Sequence, residues 1–218
     1  IKIVSTEYFH ESSGSNIKLT YNIYGNGILK IKQTLYPSGD ENPELPRFGM
    51  KFSVDKTFDD LEWFGRGPHE SYWDRKSSAR IDRYKGKVID QTFKYVRPQE
   101  TGNKTDIRWL ALYNGSIGLM VKGFPIFDGS VHHYDYALLD YYKGSQRHGK
   151  VDIIKGDQID LIVDYKQMGV GGDNSWGAKP YSKYTLPMDT TVYNLEYAII
   201  PFNKNNELDA LSRINIDN

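Results

Sequence analysis

Apolar and polar side chains alternate strictly along much of this chain, and that pattern limits its fold more than any other feature. In Ile17-Lys18-Leu19-Thr20-Tyr21-Asn22-Ile23 every second residue is apolar, so an extended backbone would gather those side chains on one face. Gly25-Asn26-Gly27 follows, built from residues that accept positive φ and so suit a turn. Leu29, Ile31 and Leu35 carry the alternation back on a return strand. Ile159, Leu161, Val163 and Tyr165 repeat the pattern, as do Tyr193, Leu195, Tyr197 and Ile199. Shorter β-branched and aromatic runs predict strands over 48–54, 61–64, 93–96, 109–113 and 117–122.

Helical signals are confined to 134–142 and 207–212, far from the strand–helix alternation of a parallel α/β fold. Many strands, with 20 Gly, 9 Pro and 17 Tyr among 218 residues, predict an all-β chain with few short helices, a large antiparallel sandwich. No repeat or linker divides residues 1–218. The most polar break, Ser38-Gly39-Asp40-Glu41-Asn42-Pro43, is short enough to be a loop, so a single domain is expected. A chain of this length buries roughly 70% of its unfolded surface and needs no cross-links. It leaves no room for a (β/α)₈ barrel beside anything else.

Composition removes several function classes. Cysteine is absent, which excludes disulfides, thiolate catalysis and Cys-based zinc sites. Lys+Arg and Asp+Glu both number 28, for a formal net charge of +0. With no basic excess to neutralise phosphates, no nucleic-acid partner is expected. No apolar run approaches the roughly 18 residues of a membrane span, so no membrane partner is expected either. The chain opens on Ile1 without a signal-peptide core, and reads as part of something longer.

Three stretches rich in glycine, aromatics and charge could carry chemistry: residues 63–75, 96–106 and 168–177. Gly65-Arg66-Gly67 is followed by Pro68 instead of the helix a phosphate loop requires. Arg66 is therefore expected to pair with Asp74 or Glu70 as scaffold. His132 and His133 would point to opposite faces of a strand, and His10, His69 and His148 are isolated, so no metal site and no cofactor is expected. Glu100 could be a general base, or be paired with Arg97 or Arg108. Trp176 lies among glycines beside Asp173 and Asn174. Such an indole can cover the C–H face of a sugar while the polar neighbours take its hydroxyls, or it can plug one end of the sandwich.

In chain order, Trp63-x-Gly-x-Gly-Pro-x-Glu-x-Tyr-x-Asp-Arg75, Pro98-Gln-Glu-x-Gly-Asn103 and Gly171-Gly-Asp-x-Ser-Trp176 resemble the C-terminal small-chain domain of bacterial β-galactosidases of glycoside hydrolase family 2. Leu45-Pro46-Arg47-Phe48-Gly49 and Ser78-Ala79-Arg80 are similar to the same family, and the resemblance runs from about Ile17 to Pro201. It implies an antiparallel supersandwich like that of galactose mutarotase. It also implies that both catalytic glutamates, which must flank the scissile bond, lie on a separate barrel. No catalytic residue is then expected here. The expected partners are the barrel and other domains of the parent enzyme and its galactoside substrate. Trp176 becomes a substrate-binding residue on a loop carrying Asp173 and Asn174, while Arg66, Glu70, Asp74, Arg75 and Glu100 become internal scaffold. Two other readings stay open. One is an aldose 1-epimerase-like enzyme using Glu100 and one of His69, His132 or His133. The other is a stand-alone carbohydrate-binding module.

Overall fold

The alternating segments become antiparallel strands. The computed structural model describes residues 1–8, 14–39, 44–95, 99–135, 155–174, 176–203 and 205–216. Among these residues ten strands form: β1 (Lys2–Tyr8), β2 (Asn16–Ile23), β3 (Leu29–Tyr36), β4 (Arg47–Asp55), β5 (Asp60–Gly67), β6 (Arg80–Lys87), β7 (Lys104–Tyr113), β8 (Ile117–His132), β9 (Gln158–Gln167) and β10 (Tyr193–Asn203). One short helix, α1 (Leu208–Ser212), follows near the C-terminus.

Strand order in the main layer is β1-β2-β3-β10-β8-β7-β5-β6. The long β8 turns this layer into two. Its first half pairs with β10 through residues 117–123 and its second half with β9 from Asp128 to His132, while β7 runs beside both, from Gly118 to Gly129 with register shifts between. β9 in turn pairs with β4. The main core lies between the layers and holds Ile31, Leu110, Val121, Ile159, Val163 and Tyr197, all buried. Neighbouring residues on the same strands (Trp109, Met120, Ala198, Ile200) face the other way, and there Leu211 and Ile216 of the C-terminal segment cover them. Period-two alternation thus feeds two cores from one sheet.

Gly49 shows why one motif is spelled as it is. The β4–β9 register shifts between Phe48 and Gly49, and a Cβ at 49 would lie well inside contact distance of Asp164 Oδ1 and of the Val163 carbonyl. The bulge lets Arg47, two residues earlier, bond Asp164 through Nε at 3.0 Å and Nη2 at 2.8 Å.

The all-antiparallel architecture with few short helices is the expected one, with local corrections. Residues 93–95 form no strand. Phe93 N–H instead donates to Thr101 Oγ1 at 2.8 Å, and the Phe93 and Tyr95 rings pack at 4.6 Å, so local bonds replace a ladder. Val96 lies outside the described residues. β1 and β6 were not expected from sequence; in this sheet each pairs with one neighbour only, β2 and β5 respectively. Of the 134–142 segment, residues 136–142 lie outside the described residues.

Candidate functional site

The first glycine-rich stretch is the hub to which the other two attach. Glu70 receives Arg75 Nη2 at 2.6 Å and Tyr95 Oη on one oxygen, and Thr101 Oγ1 at 3.1 Å and Gly102 N–H at 2.8 Å on the other. Burial pushes this carboxyl upward, but those four donors together hold it below its ordinary range. Ser71 and Asn103 exchange bonds, the Ser71 N–H donating to the Asn103 carbonyl and Asn103 Nδ2 to the Ser71 carbonyl. The partner expected for Arg66 is corrected. Its Nε bonds Asp106 on β7, which Lys76 also approaches at 3.0 Å, because β5 and β7 are adjacent strands. Asp74, released from that role, points at the third stretch instead. Its Oδ1 accepts the Val170 N–H at 3.2 Å and its Oδ2 the Gly171 N–H at 2.7 Å.

Trp176 stands on the loop so held. It is 92% exposed, which removes the reading that it plugs the sandwich. Its N–H donates to Asn174 Oδ1 at 2.8 Å, so that Asn174 shapes the turn beneath the indole. Tyr181, itself 65% exposed, donates its hydroxyl to Asp173 Oδ1 at 3.0 Å. A cavity of ≈ 330 Å³ opens beside the loop, lined by Asp74, Gly172, Asp173, Lys179 and Tyr181 among others. The three residues expected to meet substrate, Trp176, Asp173 and Asn174, are all exposed on this one loop. Ser175 lies outside the described residues.

The groups that could move protons lie elsewhere. Glu100 is not paired with Arg108, which donates to the Asp106 carbonyl; Arg97 lies outside the described residues. Its neighbour is Arg47, with Nη1 3.8 Å from Oε2, while Tyr72 Oη approaches Oε1 at 3.4 Å. Burial pushes the Glu100 carboxyl up to about 7, against the pull of Arg47 and a hydrogen bond from Gln167. Burial likewise takes Asp128 to about 7 and Asp164 to about 6. Lys104, enclosed beside the Trp63 ring at 5.2 Å, is pushed down to about 8. His132 is fully enclosed, and burial with the positive charges of Arg47 and Lys104 depresses it to about 3. His133 is buried against Asp59 at 2.6 Å, and His69 is exposed with Nδ1 2.7 Å from the Glu70 carbonyl. Among the described residues no group of three His, Asp or Glu side chains is placed to hold a metal ion. Sequence spacing gave Arg47 and Asp164 no partner and did not single out Asp128, because their neighbours come from distant strands.

The antiparallel β fold thus encloses Asp128, Asp164 and His132 and raises an exposed indole on an anchored loop. The chain belongs to the β-galactosidase small-chain family, whose model matches residues 1–199. A β-galactosidase of Priestia megaterium is 42% identical over 84% of this chain, and one of Halalkalibacterium halodurans is 30% identical over 87%. The chain spans 17% and 18% of those relatives' own lengths. A solved GalM/aldose epimerase homologue from C. elegans aligns over 94% of this chain and 66% of that one, at 10% identity and a TM-score of 0.47.

Proposed function

We propose that this chain is the small-chain domain of a β-galactosidase and supplies Trp176 as one aromatic wall for galactoside bound in a site completed by the rest of that enzyme. The observation that carries this reading is the exposed indole on a loop fixed at its root. A large aromatic surface left in water has no stability role, and burying it against an apolar sugar face yields about 2–3 kcal/mol. Asp173 and Asn174 would line the same contact. The enclosed states of Asp128, Asp164 and His132 support the companion reading that bond cleavage belongs to carboxyl groups outside this chain.

The test is Trp176→Leu in the full-length protein. The KM for lactose is expected to rise about tenfold, because leucine keeps part of the apolar contact and loses an aromatic share of about 1.4 kcal/mol, with the melting temperature unchanged because the ring packs against no core. An unaltered lactose KM would sink the proposal.

A further inference from the structure

We propose that Asp74 is a positioning residue that fixes Trp176 in space by docking its carboxylate into the base of the Trp176 loop; the inference rests on the reading that Trp176 meets substrate. Asp74 is itself held. Tyr72 and Arg75 exchange both backbone hydrogen bonds, at 3.0 and 2.8 Å, closing a tight turn with Trp73 and Asp74 at its tip. The Trp73 ring meets Tyr184 edge-on at 5.8 Å and carries Lys166 Nζ 4.0 Å over its face. From that turn the two carboxylate oxygens reach the N–H groups of Val170 and Gly171, which are consecutive in the chain. Two consecutive backbone N–H groups thus converge on one carboxylate, and an ionised oxygen makes each bond stronger than a neutral acceptor would.

The glycines of the loop fit that arrangement. A Cβ at residue 169 would stand 2.6 Å from Asp74 Oδ2, and one at 171 would stand 3.1 Å from it. A side chain at 169 would displace the carboxylate, and one at 171 would crowd it by a few tenths of an ångström. Below this pair of bonds the loop is tied to the body by Met168 N–H to the Pro46 carbonyl at 2.9 Å and Gly169 N–H to the Tyr184 carbonyl at 2.8 Å. Beyond it, Asn174 bonds the Trp176 N–H and Tyr181 bonds Asp173 within the same local segment, and on the return side Lys179 Nζ reaches Glu44 at 3.2 Å. Asp74 thus links the body of the fold to the side of the loop that leads up to Trp176, while the Lys179–Glu44 pair ties the side that returns. An indole that is already placed loses less conformational freedom when sugar arrives, and affinity rises accordingly.

The experiment is a double-mutant cycle in the full-length protein, with lactose kinetics and a ¹⁹F spectrum after 5-fluorotryptophan labelling. The Trp176 resonance is assigned as the one that Trp176→Leu deletes. Asp74→Ala is expected to shift or broaden that resonance and to raise the lactose KM about tenfold, with kcat changed less than KM. Asp74→Asn, which keeps one acceptor oxygen, is expected to lie between Asp74→Ala and the parent. In the Trp176→Leu background Asp74→Ala should add little, because the two act through one contact. A resonance that does not move, or a KM effect that adds fully to that of Trp176→Leu, overturns the proposal. A silent Trp176→Leu with a displaced resonance in Asp74→Ala would instead sink the substrate reading and leave Asp74 as the anchor of the loop.

Discussion

Asp128 is 5% exposed, its Oδ1 accepts the Asp106 N–H at 3.1 Å, and it stands opposite Asp164 in the β8–β9 ladder. Burial comes first among the causes that lift it to about 7, and the nearby Asp106 and Asp164 charges add to it. In the unfolded chain the same group ionises near its ordinary value of 3.8. Between these two values the unfolded state has released its proton and the folded state has not. Its contribution to stability is therefore full below about pH 4 and is lost as pH rises through about 7. Asp128→Asn keeps an acceptor for the Asp106 N–H and removes the charge. It is expected to raise stability at pH 8 by on the order of 2 kcal/mol, or about 2–4 °C in Tm per kcal/mol, with the gain vanishing near pH 4. Thermal melts across that range check it, and a gain that does not depend on pH would show that the charge is not the cause.

At the scale of elements, the C-terminal segment has a role that its sequence did not announce. Leu211 and Ile216 cover Trp109, Met120 and Ile200 on the outer face of the sheet, and Lys122 Nζ bonds the Ile214 carbonyl at 2.7 Å to hold the segment down. Leu211→Ala is expected to cost about 2 kcal/mol and lower Tm by about 4–8 °C, with a red shift in Trp109 emission; unchanged values for both would mean the segment does not seal that face. The same scale explains what sequence could and could not show. β2, β3, β9 and β10 were legible because each has an apolar face turned to the core, and α1 was legible as a short helical pattern. β6 was not, because an edge strand running Arg80-Ile-Asp-Arg-Tyr-Lys-Gly-Lys87 is mostly exposed and carries charges instead of alternation. Trp176 stood out through its glycine-rich surroundings. The role of Asp74 did not, since its partners are backbone N–H groups 96 and 97 residues away, and backbone donors leave no mark in a sequence.

For the whole molecule the question is how much of a sugar site one such surface can hold. A single indole face with the Asp173 and Tyr181 groups beside it offers about 2–3 kcal/mol, which corresponds to a dissociation constant on the order of 10 mM. Tighter binding needs polar groups converging from several sides of a concave pocket, whereas Trp176 projects outward at 92% exposure. Those further groups would come from the larger part of the β-galactosidase sequences that this chain does not span. Titration of the 218-residue chain with galactose, followed by tryptophan emission, is therefore expected to show no saturation below about 10 mM, and the weak change present should disappear in Trp176→Leu. Saturation at micromolar sugar would mean that the chain closes a binding site by itself. The exposed indole would then belong to a self-contained carbohydrate-binding module and would not be one wall of a shared site.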